Sequence, residues 1–242
     1  MLKHFFFDLD NTLTPSKSLI ELEHVPVLKR LSERADVIVV SGHGEKDIRK
    51  HLRPELADSY HILGQNGNFA ETRDSRMLWN RSLSKEQKDA IFAFIAKARA
   101  HLNYKVSDEN DIVEDRDSQI AFSLIGHHEK KAVKDAFDPD HAKRRKLLED
   151  LVDDVKMLEK VNVEIRIGGT TNLDIFELGK NKGYNVAAFI EAMRWDKNDC
   201  IYLGDSLFPG GNDETVIGVI PTKAVVDYRE TYSYLREILV SL

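Results

Sequence analysis

The sequence predicts an α/β protein in which a doubly wound, mostly parallel sheet forms the core and an α+β domain is inserted into it. Three observations predict this. Several short runs are apolar at every position and stop abruptly at polar or glycine-containing loops, as strands buried on both faces of a parallel sheet do. Helical patterns separate several of these runs, so strand and helix alternate. The middle of the chain follows a different pattern, with helices and half-exposed strands.

Phe5-Phe6-Phe7 stops at Asp8-Leu9-Asp10-Asn11, and Val37–Val40 stops at Ser41-Gly42-His43-Gly44. His61-Ile62-Leu63 runs into Gly64-Gln65-Asn66-Gly67, Ile201-Tyr202-Leu203 into Gly204-Asp205-Ser206, and Val216–Ile220 into Pro221. Helices are expected where Leu19, Leu22, Val27, Leu28 and Leu31 recur, over Glu45–Leu52, over Tyr184–Met193 and over Tyr228–Leu242. In a Rossmann-like sheet of this kind, ligands bind beyond the carboxyl ends of the strands. Asp8, Asp10, Ser41 and Asp205 all fall there.

The insert is expected at residues 83–179, leaving 1–82 and 180–242 as the core. Ser84 followed by Gln87 reads as a capping box opening a helix to about Leu102. Strands are expected near Asp111–Glu114, Gln119–Ile125, Val163–Ile167 and Leu173–Leu178. Asp138-Pro139 is expected to open one long charged helix reaching about Lys160, with proline at its first position.

The chain of 242 residues is 42% hydrophobic and 31% charged, enough apolar material for a sizeable core. A net charge of -6 argues against a general attraction to nucleic acid or anionic lipid. No apolar run approaches the ~20 residues that cross a bilayer, and Met1–Asp8 is not patterned as a signal peptide. The single cysteine, Cys200, allows no intramolecular disulfide, which suits a reducing cytoplasm. It reads as a small buried core residue. The expectation is a cytoplasmic monomer or homodimer with no nucleic-acid or membrane partner.

The densest chemical signal is Asp8-Leu9-Asp10 directly after a buried strand. If the chain turns at Leu9, both carboxylates face one pocket. Phosphoryl transfer needs such a pair, one to attack phosphorus and form an aspartyl-phosphate, the other to protonate the leaving oxygen and then deprotonate the acceptor. Asp8 is the expected nucleophile and Asp10 the expected acid/base. By itself the string is common, and a solvated acidic turn is then the better explanation of it. Gly204-Asp205-Ser206, with Gly210-Gly211-Asn212-Asp213 downstream, adds oxygen donors of the kind Mg²⁺ accepts. Asp8, Asp205 and the Asp10 carbonyl are the expected ligands, with Asp213 either ligating or orienting metal-bound water. Ser41, the amides of Gly42 and His43, and Lys182 are placed to meet phosphoryl oxygens. Lys180 competes with Lys182 for that role.

In chain order, DLDNTLT, VVSG, the lysine of GKNKG and GDSLFPGGND resemble the four motifs of the haloacid dehalogenase-like phosphatase superfamily. An insert between the second and third motifs resembles subfamily IIB. DLDNTLTPSKS, GQNGN, EDRDSQIAFSLIGHH, RIGGTTNLDIF and LGDSLFPGGNDE are similar to the eukaryotic-type phosphomannomutases. The resemblance implies that the insert is a cap over the substrate. It makes Asp8 the nucleophile, Asp10 the acid/base, Ser41 and Lys182 phosphoryl contacts, and Asp8, Asp10, Asp205 and Asp213 the magnesium environment. It implies a second phosphate held by Arg116, and sugar contacts at Gly169, Thr170 and Asp174. Gly42, Asn212 and His127 complete the expected substrate contacts. His127 stands where the mutases carry a further arginine, and Asn11 where they carry glycine. Lys17 serves for their basic residue after Thr-Pro.

The expected function is therefore a magnesium-dependent phosphotransferase acting on phosphorylated sugars. With water as acceptor it is a sugar-phosphate phosphatase, the first reading. With a hydroxyl of a sugar bisphosphate that has turned over in the site, it is a phosphomannomutase. A non-catalytic sugar-phosphate binding protein is the third. Lys143-Arg144-Arg145-Lys146 is read as a solvated turn of a charged helix held by i,i+4 pairs.

Overall fold

The computed structural model describes residues 2–240. It divides into two compact units, one formed by residues up to Asn80 together with those from Lys180 onward, the other by Arg81–Gly179.

In chain order the elements are β1 (His4–Phe7), α1 (Val25–Ser32), β2 (Asp36–Val40), α2 (Glu45–Leu52), β3 (His61–Gly64), β4 (Phe69–Glu71) and β5 (Met77–Asn80). The second unit holds α3 (Lys85–His101), β6 (Val113–Asp115), β7 (Gln119–Ser123), α4 (Lys131–Phe137), α5 (Ala142–Asp150), α6 (Val152–Lys160), β8 (Val163–Gly168) and β9 (Asn172–Glu177). The chain returns to the first unit as α7 (Lys182–Met193), β10 (Cys200–Gly204), β11 (Thr222–Ala224) and α8 (Tyr228–Ile238).

The first unit is a seven-stranded sheet in the order β11-β10-β1-β2-β3-β4-β5. Strands β11 to β3 pair in parallel, and β4 and β5 add an antiparallel edge. Side chains alternate between faces at each residue of a strand, and this splits the apolar runs into two cores. Phe5, Phe7, Val37, Val39 and Leu203 pack against α1, α2 and α8. Phe6, Ile38, Val40 and Tyr202 pack against Val186, Phe189 and Ile190 of α7. The result is an α/β/α sandwich. The connections leave β1 toward β2 on one side while β10 lies on the other, so the strand order reverses at β1. That crevice is where open α/β sheets bind ligands.

The second unit is a four-stranded antiparallel sheet, β6-β7-β9-β8, covered on one face by helices. Ile91, Phe94, Ile95 and Ala98 of α3, Leu147 of α5 and Leu158 of α6 pack on Ile120, Phe122, Leu173 and Ile175. α3 starts with the expected capping box, Ser84 Oγ accepting from the Gln87 amide at 3.2 Å and Gln87 Oε1 accepting from the Ser84 amide at 2.9 Å.

Several expected elements are corrected. Val216–Ile220 is not a strand. It begins on the last residue of a 3-10 turn at Glu214–Val216, and Val216 and Ile220 fill the core beside α7, while the edge strand forms beyond Pro221. The first helix starts only at Val25, with Pro26 in its first turn, and Leu19 and Leu22 lie exposed before it. The long helix expected from Pro139 is two helices. His141, in the left-handed region at φ 61°, precedes α5, and Leu151, at φ -108° and ψ 26°, separates α5 from α6. The short pieces β4, β5, α4 and β11 had no expectation attached. The final helix ends at Ile238, and the last part of its expected span, Ser241-Leu242, lies outside the described residues. No helix among the described residues is long and apolar enough to cross a membrane.

Candidate active site

β1, β10 and β2 are neighbours in register, with Phe7 opposite Leu203 and Val39. Asp8, Asp205 and Ser41, each one residue beyond its strand, therefore emerge at the same end of the sheet. Asp8 is anchored by its amide, which donates to the Leu203 carbonyl at 3.0 Å. The chain then coils back, with the amides of Leu13 and Thr14 donating to the Leu9 carbonyl at 2.9 and 3.0 Å. Asn11 takes φ 56° in this turn, a conformation asparagine tolerates better than most residues.

Lys182, the first residue of α7, reaches into the crevice. Its Nζ lies 2.5 Å from Asp8 Oδ1 and 2.7 Å from Asp213 Oδ1, and all three side chains are buried. The helix start is fixed by Asn181, whose side chain accepts from the Tyr184 amide at 3.1 Å. The buried Asn185 side chain donates to the Asn66 and Lys180 carbonyls at 2.8 and 3.1 Å. Lys180, the competing candidate, instead lies over the Tyr184 ring at 3.9 Å.

Asp213 is the hub of the loop after β10. Its Oδ1 accepts from Lys182 and, at 2.6 Å, from the Tyr202 hydroxyl, and its Oδ2 accepts from the Ser206 amide at 3.3 Å. A Cβ on residue 204 would sit 2.3 Å from Asp213 Oδ2, so glycine is required there for this approach. Asp205 is held from the other side, its amide donated to Thr12 Oγ1 at 3.1 Å and its Oδ2 contacted by the Asn11 amide group at 3.3 Å. Asn212 is exposed on the same loop.

The electrostatics follow from crowding. Asp8, Asp205 and Asp213 present three carboxylates to one ammonium. Burial pushes the Asp8 carboxyl well above its usual range against the pull of Lys182, with Asp213 and Asp205 adding to the push. Burial and Asp213 push Asp205 up as well. Burial opposes the charge on Lys182, but Asp213 and Asp8 outweigh it and hold the ammonium protonated. One oxygen from each of the three carboxylates lies within 4.8 Å of the others. A hard-oxygen donor set carrying surplus negative charge fits a divalent cation such as Mg²⁺. Both Asp213 oxygens already accept protein hydrogen bonds, which suits it to hold Lys182 and the loop.

Asp10 is held by a separate pair of donors. Its Oδ2 lies 2.8 Å from His43 Nε2, and its Oδ1 accepts from the Lys17 amide at 2.5 Å. Burial would raise its carboxyl, but the His43 hydrogen bond and charge and the Lys17 amide outweigh this and hold it below the usual range. Ser41 is buried, its Oγ accepting from the His43 amide at 3.2 Å, and Gly42 lies between them. The His43 side chain was missed from sequence, where only its amide was considered. Tyr202 was also missed. A tyrosine within a buried apolar strand needs a partner for its hydroxyl, and that was the available signal.

The remaining candidates belong to the second unit. Glu114, Ala121, Asp174 and Arg166 are cross-strand neighbours in one row. The alternating Val113, Phe122, Leu173, Ile165 and Ile167 face the helices, so this row lies on the sheet's other face. Arg116 donates to Glu114 Oε2 at 2.6 Å. His127 has Nδ1 3.8 Å from the same oxygen and Nε2 3.2 Å from the Ala121 carbonyl. Arg116, His127 and Asp174 are thus brought to one face. The exposed Gly169, at φ 47°, and the half-buried Thr170 form the β8–β9 turn. A Cβ at Gly168 would lie 2.2 Å from Asp174 Oδ2, so Asp174 packs directly on that backbone.

Arg144 corrects the reading of its neighbourhood as a solvated charged turn. It is fully buried, bound through Nε to Asp138 Oδ2 at 2.6 Å and through Nη1 to the carbonyls of Gly168, Gly169 and Asn172 at 2.8, 2.9 and 3.1 Å. Only Lys146, paired with Asp150, follows the i,i+4 expectation. The sequence hid Arg144 because its partners lie on another element.

A family model described as haloacid dehalogenase-like hydrolase matches residues 5–215. The chain is 25% identical to phosphomannomutase 1 of Dictyostelium discoideum over 243 residues, 96% of this chain and 94% of that protein. It is 26% identical to a phosphomannomutase of Spinacia oleracea over 212 residues, 86% of this chain and 83% of that one. Its fold is similar to that of N-terminally truncated, IMP-bound Plasmodium falciparum IMP-nucleotidase, with a TM-score of 0.71 at 14% identity, covering all of this chain and 68% of that one. With a family model spanning most of its length and the same fold around the strand-end carboxylates, the chain belongs to the haloacid dehalogenase-like hydrolases.

Proposed function

We propose that the protein is a magnesium-dependent phosphatase of phosphorylated sugars that works through an aspartyl-phosphate on Asp8. The observation that carries this reading is the buried Lys182, shared between Asp8 and Asp213 beside Asp205. Lys182 engages Asp8 Oδ1. Oδ2 is the oxygen that attacks phosphorus, in line with the departing sugar oxygen. As the phosphorus–oxygen bond breaks, Asp10 gives its proton to the leaving alcohol. Approach of a phosphate dianion raises the proton affinity of Asp10, which supplies the acid form for this step. Asp10, now a carboxylate, takes a proton from water. That water attacks the aspartyl-phosphate, releasing inorganic phosphate and restoring Asp8. Ser41 and Lys182 hold the phosphoryl oxygens through both steps. Asp8, Asp205 and the Asp10 carbonyl would hold Mg²⁺, with Asp213 beside them. When bound, the ion offsets the repulsion between the carboxylates and the phosphate.

A second reading, phosphomannomutase, is favoured by one observation: the phosphomannomutase of Dictyostelium discoideum aligns over 96% of the chain. A mutase needs cationic groups for a second phosphate. Here Arg116 is neutralised by Glu114, and a histidine stands at 127. These features support water as the acceptor. The deciding experiment supplies mannose 1-phosphate, Mg²⁺ and a trace of hexose bisphosphate, followed by phosphorus NMR. Free phosphate is expected; accumulation of the 6-phosphate would replace the first reading by the second. Absence of any Mg²⁺-dependent turnover would leave a binding protein.

A further inference from the structure

We infer that His43 is a positioning residue for proton transfer, holding the Asp10 carboxylate in the orientation from which it serves the leaving oxygen. The inference rests on the acid/base reading of Asp10. Asp10 lies on a turn outside β1, where no helix or strand fixes its side chain. Two donors do. His43 Nε2 lies 2.8 Å from Oδ2, and the Lys17 amide lies 2.5 Å from Oδ1. An ionised carboxylate only accepts, so His43 donates from Nε2. The pair occupies one oxygen each and defines the plane of the carboxylate.

His43 is itself held. Its amide donates to Ser41 Oγ at 3.2 Å, and its carbonyl accepts from the Gln65 amide at 2.8 Å. Its ring meets the His51 ring edge-on, with centroids 5.1 Å apart at 85°. Gly44 beyond it leads into α2, so the ring is referenced to the helix as well as to β2. The Lys17 amide is presented by a left-handed residue at φ 52°, which turns the loop back toward Asp10. One end of the clamp therefore comes from the loop after β1 and the other from the loop after β2.

General-acid transfer works only when the acid is within hydrogen-bond reach of the departing oxygen. Its importance also depends on the leaving group. An alkoxide from a sugar phosphate needs the proton, whereas 4-nitrophenolate departs without one. The ratio of kcat/KM for the two esters isolates this effect, because kcat/KM covers only the steps up to release of the alcohol. A general loss of fold or of phosphate binding would lower both equally.

The test compares wild type, His43→Ala, His43→Gln and Asp10→Asn with mannose 6-phosphate and 4-nitrophenyl phosphate, with Mg²⁺ present and folding checked by circular dichroism. His43→Ala is expected to lower kcat/KM for the sugar phosphate about tenfold or more while changing the aryl ester less than about threefold. His43→Gln, which keeps a donor at similar reach, is expected to restore most of the ratio. Parallel losses on both esters, or no selective loss on the sugar phosphate, would overturn the inference. If Asp10→Asn retains full activity on the sugar phosphate, the acid/base reading fails and this inference with it. If Asp10→Asn is selectively impaired and His43→Ala is not, the role of His43 alone is refuted.

Discussion

Replacing Lys182 by methionine tests how the crevice at the strand ends is held together. The side chain keeps its volume, but its ammonium, at 2.5 Å from Asp8 and 2.7 Å from Asp213, is lost. At an effective dielectric of about 20, each contact carries roughly 6 kcal/mol of Coulomb attraction. Desolvation of the buried ammonium cancels much of this, and removing one partner of a buried ion pair leaves a net cost of about 3–5 kcal/mol. The cost has a pH signature. An acid whose folded pKa lies above its unfolded value favours the folded state only where it is protonated. For Asp8 that contribution is full below about 3.8 and is lost as pH rises through the raised folded value. Without Lys182 the folded value rises further, so the deficit of the variant widens with pH. Urea titrations of wild type and variant without added metal, at pH 5 and pH 8, measure it. Lys182→Met/Asp213→Asn removes one carboxylate charge from the same centre and is expected to recover at least about 1 kcal/mol at pH 8. A deficit below about 1 kcal/mol that does not change with pH would refute the assignment of Lys182 as the charge that holds the crevice.

Three further outcomes follow from other parts of the molecule. Arg144→Met leaves Asp138 buried without its partner and should destabilise the second unit by about 3–5 kcal/mol, with faster hydrogen exchange at the Asn172 amide than at Ile91 of α3. Ser84→Ala removes the capping box of α3 and should cost about 1 kcal/mol in chemical denaturation. Cys200, whose thiol burial pushes up to about 12 with help from Asp199 and Asp196, should resist a maleimide probe in the folded protein and react in guanidinium.

Strand and helix identity in the first unit was legible because it rests on local periodicity. Phe5-Phe6-Phe7 must be buried on both faces, and no other packing of three consecutive phenylalanines beside an acidic loop is economical in exposed apolar surface. The same reasoning misplaced Val216–Ile220, where an apolar run plugs a core and makes no strand. It also fused α5 and α6, because a charged helical pattern carries no mark where Leu151 interrupts it.

By itself the sequence determined the fold class and the position of Asp8, Asp10, Ser41 and Asp205 after apolar runs, since both follow from which residues must avoid water. Only the tertiary structure decided which charges meet. Lys182 lies 174 positions from Asp8 and touches it, while Lys180 does not. Asp10, two residues from Asp8, turns instead to His43 on the next strand's loop. Arg144 is buried where its neighbours Lys143, Arg145 and Lys146 are exposed, and it binds a turn formed by β8 and β9. Burial patterns are written locally, but an ion pair is set by distance in space, and distance in space is settled only when the strands have found their order.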